Sequence, residues 1–266
     1  MKLISLNVAY FEPNNPKLIS FLQSESPDLA CFQEVTRDLI GEVDKKYVSK
    51  NSIDKGTPNL NYCFFGPTKV LGEVRLKDFH EKENFYFNAG GYLEMGNYTK
   101  CRDKILEAHN IFLEGNFSYL SNQNSWPGEQ ERAILVTDIL TDDKKLLRVI
   151  NYHGIWTRDK QGNTKTLEAC KKIVDYSTDF KGNVIICGDF NLYPDTPSMK
   201  VFQNKFVNLI DRFKIKATRP LSNELSGNIR NVVDYIFVDS KIKVKDFNVI
   251  DNDVSDHLPL VLNFEL

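Results

Sequence analysis

Unbroken apolar runs of strand length alternate along this chain with stretches whose apolar positions recur every three or four residues. Residues 2–8 are mostly apolar and predict a buried strand. After a turn at residues 13–16, Leu18, Ile19, Phe21 and Leu22 recur at helical spacing, and residues 28–33 predict a second buried strand. Strands apolar on both faces, joined by a helix, are expected where a sheet lies under helices.

Residues 47–130 are less regular, with aromatic-rich runs at 61–65, 85–92 and 111–113 broken by glycine, proline and charge. Strands and long loops are expected there. Residues 132–140 and 146–153 flank a polar turn at 141–145 and predict a hairpin. Leu167, Cys170, Ile173, Val174 and Tyr176 mark an amphipathic helix over residues 164–180, stopped by Lys181-Gly182. A strand at 184–188, a short helix at 196–204 and strands at 232–238, 244–249 and 260–264 complete the pattern. With no internal repeat and no Gly/Ser linker, the 266 residues are expected to form one domain, 1–266.

Composition narrows the class. Hydrophobic residues at 41% and charged ones at 26% are those of a folded globular chain. The longest apolar runs, such as 184–187, fall well short of the roughly 20 residues a spanning helix needs, and Asn7 ends the first run too early for a secretory signal. A cytoplasmic protein without stable membrane association is expected. The 5 cysteines are widely spaced with no C-x-x-C pair, which predicts buried or half-buried free thiols in a reducing compartment. A formal net charge of -2 gives no global field that would attract nucleic acid.

The chemistry lies where apolar runs end in carboxylate, amide or imidazole side chains. Such endings occur at Asn7, at Gln33-Glu34, at Asn151-Tyr152-His153, at Gly188-Asp189-Phe190-Asn191, at Asp234-Tyr235 and at Ser255-Asp256-His257-Leu258-Pro259. Any one of them is what a strand meeting solvent looks like. As a set they call for paired charges or a bound metal, because a buried charge is costly alone.

In order and spacing this set resembles the endonuclease/exonuclease/phosphatase superfamily, which includes DNase I, exonuclease III and the neutral sphingomyelinases. The resemblance runs from Asn7 to the last strand, and residues 47–130 contribute least. It implies an α/β fold, a four-layered α/β sandwich of two packed mixed β-sheets flanked by helices, with the site where strands of both sheets end. It also implies a phosphoester hydrolase that uses Mg²⁺, with Mn²⁺ as an alternative.

Within that resemblance Glu34 is the principal metal ligand, an ionised hard oxygen donor at neutral pH, and Asn7 and Asp256 complete the metal surroundings. Asp189 takes the water-activating role and Asn191 a phosphate or water contact; two apart on an extended segment, both would face one side. His257 contacts the scissile phosphate, with Asp234 fixing its tautomer and favouring its protonated form. His153 assists at the phosphate or the leaving oxygen, with a satisfied core histidine as the alternative. Arg132 either grips a phosphate bidentately or is a solvated strand-end arginine.

Three substrate readings remain open. Phosphodiester hydrolysis on DNA or RNA is slightly ahead; a phosphatase or phosphodiesterase acting on a small molecule or lipid headgroup comes second, and a silent binding module on the same fold last. Arg212, Lys214, Lys216 and Arg219 form a basic run that reads as an exposed strand face, and Trp126, Trp156 and Tyr193 as residues packed under loops or as stacking groups. Val8-Ala9-Tyr10 supplies no acidic residue after Asn7, which argues against a repair-type abasic-site activity.

Overall fold

A computed structural model describes residues 1–9, 16–41, 43, 45–71, 74–77, 84–87, 91–120, 130–220 and 232–266. Tyr10, Trp126, most of the turn expected at 13–16 and part of the aromatic run at 85–92 lie outside the described residues.

The strands in chain order are β1 (Lys2–Asn7), β2 (Leu29–Asp38), β3 (Tyr62–Leu71), β4 (Val74–Lys77), β5 (Asn84–Phe87), β6 (Leu93–Cys101), β7 (Lys104–Glu114), β8 (Ser118–Leu120), β9 (Arg132–Leu140), β10 (Leu146–His153), β11 (Asn183–Asp189), β12 (Phe206–Asn208), β13 (Asp234–Asp239), β14 (Lys243–Val249) and β15 (Leu260–Glu265). The helices are α1 (Pro16–Glu25), α2 (Ser49–Gly56), α3 (Thr164–Thr178), α4 (Pro197–Gln203) and α5 (Leu209–Arg212).

Two mixed sheets result among the described residues. One has seven strands in the order β14-β15-β1-β2-β6-β3-β8; the other has six in the order β12-β13-β11-β10-β9-β7. β4 and β5 pair separately. Leu3, Leu29, Cys31 and Cys101 from the first sheet share one core with Val136, Val149 and Val184 from the second. On the outer face of the first sheet, Ile4, Leu6, Ala30 and Phe32 pack against Leu18 and Leu22 of α1 and Ile53 of α2. On the outer face of the second, Ala169, Cys170 and Ile173 of α3 and Met199 and Phe202 of α4 do the same work. This is the four-layered α/β sandwich, and it explains why the central strands read as unbroken apolar runs: both faces of each are covered.

Local sequence sets the helix ends. Asn163 caps α3, accepting from Thr166 N while Thr166 returns a bond to the cap backbone, and Thr196 caps α4 ahead of Pro197. Each sheet contains one parallel pair bridged by a helix: β1-α1-β2, and β10-α3-β11. Ligand sites of such units form at the carboxyl ends of the parallel strands. Both units point those ends to the same edge of the sandwich, where the side chains of Asn7 and Asp189 meet.

Several expectations change. The strand expected at 28–33 runs on to Asp38, and residues 47–130, expected as strands and long loops, hold the long strands β3, β6 and β7 together with the helix α2 that the pattern did not predict. The basic run from Arg212 to Arg219 is not a strand face: it leaves α5 through a turn, and Arg219 points into the site. All 5 cysteines are free, four of them buried, but Cys63 is exposed, because its end of β3 is not covered.

Candidate active site

Register brings the motif residues together. Asn7 pairs with Gln33 where β1 ends and its parallel ladder with β2 stops, and His153 pairs with Asp189 where β10 and β11 end. Asp189 in turn pairs with Asp234, the first residue of β13. The loop before β15 carries Asp256 and His257, and Ser255 ties it to β1 by donating to Asn7 O at 2.7 Å.

Backbone irregularities aim the side chains. Phe32 faces Tyr98 and Val35 faces Gly96, so Gln33 and Glu34 together oppose Asn97. Glu34 takes φ 57 in this bulge, the device that turns a strand residue toward a site. Gly188 sits at φ +138, where a Cβ would lie 1.9 Å from Tyr152 O. Only glycine allows that approach beside Asp189. Phe190 then packs edge-on against Tyr152, Phe202 and Tyr235, anchoring the turn.

Asp189 is the hub. It is 1% exposed, and its Oδ2 lies 3.1 Å from Asn7 Nδ2, 3.6 Å from His257 Nε2 and 3.9 Å from His153 Nε2. Burial alone would raise its carboxyl; His257, His153, Arg219 and Lys160 instead hold it at about 2. Asn191 is not on an extended segment with Asp189 as the spacing predicted. It takes φ 56 past the strand end, donating its N–H to Asp189 Oδ1 at 2.8 Å and its Nδ2 to Asp189 Oδ2 at 3.3 Å. Both side chains still share one side, through a turn rather than a pleat.

His257 and Asp234 form the expected dyad. His257 Nδ1 lies 2.9 Å and 3.0 Å from the two Asp234 oxygens, and Thr218 Oγ1 donates to Asp234 Oδ2 at 2.7 Å. Burial and Arg219 oppose a proton on His257, but Asp234, Asp256 and Asp189 outweigh them and push it up to about 9. Arg219 Nη2 lies 2.5 Å from His257 Nε2. Arg219 also faces Asp256, Nη1 to Oδ2 3.8 Å.

His153 is held the other way: burial, then Arg132, Lys69 and His257, push it well below its usual range, so its ring is neutral. Its Nε2 is 3.4 Å from Glu34 Oε1. Two imidazoles at one carboxylate thus carry opposite protonation preferences, the pattern that separates acid from base roles.

Arg132 is not the solvated strand-end arginine of the alternative reading: it is 6% exposed. Its buried guanidinium donates Nε to Gly154 O at 2.7 Å and Nη1 to Glu131 O at 3.3 Å, bracing the backbone beside His153. Beyond it, a shallow depression is lined by Glu34, Asn97, Glu131, Arg132 and His153. Lys69, buried near Arg132 and 3.5 Å from Glu131, and Lys160, which donates to Asn191 Oδ1 at 2.6 Å, complete the cationic surroundings. Neither lysine carries a motif signal. Arg219 does, lying in the basic run already singled out.

The donor set fits a divalent cation. Burial raises the Glu34 carboxyl, and Asp256 and Asp189 raise it further; a cation would relieve this convergence of negative charge. Asn7 departs from the expected ligand role in this arrangement: its Oδ1 accepts from Ala9 N at 3.0 Å while Nδ2 donates to Glu34 and Asp189, so it bridges the carboxylates. Asp189, Asp234 and His257 also bring ligand-type atoms within 4.8 Å of one another. Both nitrogens of that imidazole already face protein partners, Nδ1 hydrogen-bonded to Asp234 and Nε2 3.6 Å from Asp189, so the trio reads as a paired imidazole rather than a cation site.

The family model for the endonuclease/exonuclease/phosphatase family matches residues 121–257, just over half the chain. No curated protein matches. Among solved structures, an endonuclease/exonuclease/phosphatase from Beutenbergia cavernae DSM 12333 is similar at 17% identity and TM-score 0.69, covering 100% of this chain and 71% of that one. D. rerio TDP2 complexed with single-strand DNA product is similar at 17% identity and TM-score 0.66, over 100% and 99% of the two chains. The mannosyl-6-phosphatase of Bacteroides thetaiotaomicron VPI-5482 is similar at 14% identity and TM-score 0.63, over 100% of both. At these identities the structural likeness speaks for the fold.

Proposed function

The chain belongs to the endonuclease/exonuclease/phosphatase family, and on that premise we propose that it is a Mg²⁺-dependent phosphodiesterase, with Mn²⁺ as an alternative cation and nucleic acid as the favoured substrate. The observation that carries this reading is the convergence on Asp189 Oδ2 of Asn7, His153 and His257, all within 3.9 Å.

Glu34 and Asp256 would hold the cation, and a half-turn of the Asn7 amide would add its oxygen. When bound, the cation neutralises charge on the phosphoryl oxygens. Asp189, ionised throughout the neutral range, orients the attacking water and takes its proton as the oxygen bonds to phosphorus. As the ester P–O bond breaks, the leaving oxygen departs as an alkoxide and is protonated through solvent by the proton that Asp189 releases, while His257 Nε2, held by Asp234, contacts the phosphoryl group. The neutral His153 ring lies on the Glu34 side, where it serves the phosphate or the leaving oxygen. Removing one such preorganised electrostatic group typically costs ~100-fold or more in rate.

Nucleic acid stays ahead because TDP2, of like fold, carries a single-strand DNA product, and Trp156 and Tyr193 lie half-buried beside the site. The second reading is a small phosphoester, supported by the fold shared with a sugar phosphatase and by the -2 net charge. Among the described residues no helix is long and apolar enough to cross a membrane. With all cysteines free, we assign the protein to a reducing compartment such as the cytoplasm, acting as one domain on a phosphoester partner.

The test is hydrolysis of bis-p-nitrophenyl phosphate, single-stranded and duplex DNA, RNA and a phosphoinositide panel with Mg²⁺, Mn²⁺ or EDTA. Turnover is expected with either cation and none in EDTA. Activity that persists in EDTA, or that survives Asp189→Ala and His257→Ala, overturns the mechanism.

A further inference from the structure

The loop from β10 to α3 holds a cation that the roles above leave unused. Lys160 is itself in the left-handed region at φ 57, and its backbone is tied down on both sides: its N–H donates to Thr157 O at 3.2 Å and its carbonyl accepts from Tyr193 N at 3.0 Å. Trp156 in the same loop is clamped by Gln130, which donates to its carbonyl at 2.9 Å and accepts its N–H at 2.8 Å. Between these anchors the Lys160 ammonium lies 4.8 Å from the Trp156 ring centroid and 2.6 Å from Asn191 Oδ1.

That contact fixes the Asn191 amide. Its oxygen faces Lys160, so its Nδ2 faces Asp189 Oδ2 and Gly154 O, each at 3.3 Å. Asn191 thus has both ends engaged within the protein, and the phosphate contact expected of it passes to its neighbour. We propose that Lys160 is a further catalytic residue, its ammonium donating to a non-bridging oxygen of the substrate phosphoryl group, with Asn191 as the positioning residue that aligns it with Asp189.

The inference rests on the phosphoesterase reading. An ammonium needs several acceptors, and in water it has them. Here, on a half-buried side chain, a neutral amide oxygen and a ring face replace part of that water, and burial pulls Lys160 down to about 7 against the attraction of Asp189. Such an arrangement is costly unless an anion completes it. A loop brace alone does not call for it, since the Tyr193, Thr157 and Gln130 bonds already hold the loop and an apolar side chain would pack on Trp156 without that cost.

Two measurements decide it: kcat and KM on bis-p-nitrophenyl phosphate, and calorimetric titration with inorganic phosphate, both on the Mg²⁺-loaded protein and on its Lys160→Met, Lys160→Gln and Lys160→Arg variants. Expected for Met and Gln is a kcat/KM loss on the order of 100-fold and phosphate binding weakened ~10-fold or more. Lys160→Arg should recover part of both, and the urea midpoint of Lys160→Gln should stay close to that of the parent. Variants that keep turnover and phosphate binding within about 3-fold overturn the role of Lys160 while leaving the phosphoesterase reading intact. If the parent protein hydrolyses nothing, that reading fails instead, and the phosphate titration still decides Lys160: weaker binding in the variants upholds the contact and equal binding overturns it.

Discussion

Gln33 Nε2 donates a 2.7 Å hydrogen bond to Asn151 Oδ1 across the space between the two sheets. Asn151 returns its Nδ2 to Phe32 O at 3.1 Å and Tyr98 O at 3.2 Å. Both side chains are 0% exposed, and they stand directly before Glu34 and two residues before His153. The pair locks the sheets against each other beneath the site.

Asn151→Leu leaves Gln33 Nε2 and two carbonyls without this partner and should cost about 1–3 kcal/mol of stability. Replacing both residues with apolar ones should recover much of that stability but not the activity, since the relative placement of Glu34 and His153 is no longer specified. Urea unfolding read together with kcat checks this; equal recovery of both quantities counts against a positioning role.

Glu34→Gln removes one of three converging negative charges. Without added metal its thermal midpoint should equal or exceed that of the parent. Mg²⁺ should raise the midpoint of the parent and scarcely that of the variant, because ligand binding to the folded state stabilises it by mass action. A large Mg²⁺ shift in Glu34→Gln places the cation elsewhere.

Gly188→Ala puts a Cβ where Tyr152 O already stands and strains a φ of +138. The pairing of β10 with β11 next to Asp189 must open, and a loss of about 3 kcal/mol or more is expected. Calorimetric unfolding reads it, and a midpoint unchanged from the parent refutes the steric account.

Asp54 links α2 to the first sheet, accepting from Lys50 at 2.6 Å, Lys100 at 2.8 Å and Tyr98 Oη at 2.8 Å. Burial works to raise its carboxyl, but these donors win and lower it. Stability from a lowered carboxylate is present above its unfolded value near ~3.9 and is lost as pH falls through the folded value. Asp54→Asn should therefore cost about 1 kcal/mol at pH 7, a figure already discounted for partial exposure. Denaturation curves from neutral pH into the acid range check it; the gap to the parent should close in acid.

Outside residues 47–130, most strands and helices, the burial of both faces of the central strands and the polar residues that end them were legible from residue pattern alone; α2, α5 and β12 were not. Alternation and period report which faces are covered, and that is a local property. The Gly188-Asp189-Phe190-Asn191 and Ser255-Asp256-His257 endings lie at the edge of the sandwich where Asn7 and Asp189 meet.

Aim and charge were not legible. Glu34 is turned by a bulge set by its pairing with β6, and Asn191 by a left-handed turn, so a pleat-based reading of Asp189 and Asn191 reached the shared side for the wrong reason. Arg132, read as a phosphate ligand or a solvated strand-end arginine, is buried and braces the backbone at Gly154. Lys160 and Arg219 sit on connections without periodicity, and only folding carries them to Asn191 and His257. The opposite preferences of His153 and His257 likewise sum burial and charges from strands far apart in the chain. Which chemistry the chain carries is written in its residues; where each charge stands relative to the others is a long-range quantity that only the packed tertiary structure sets.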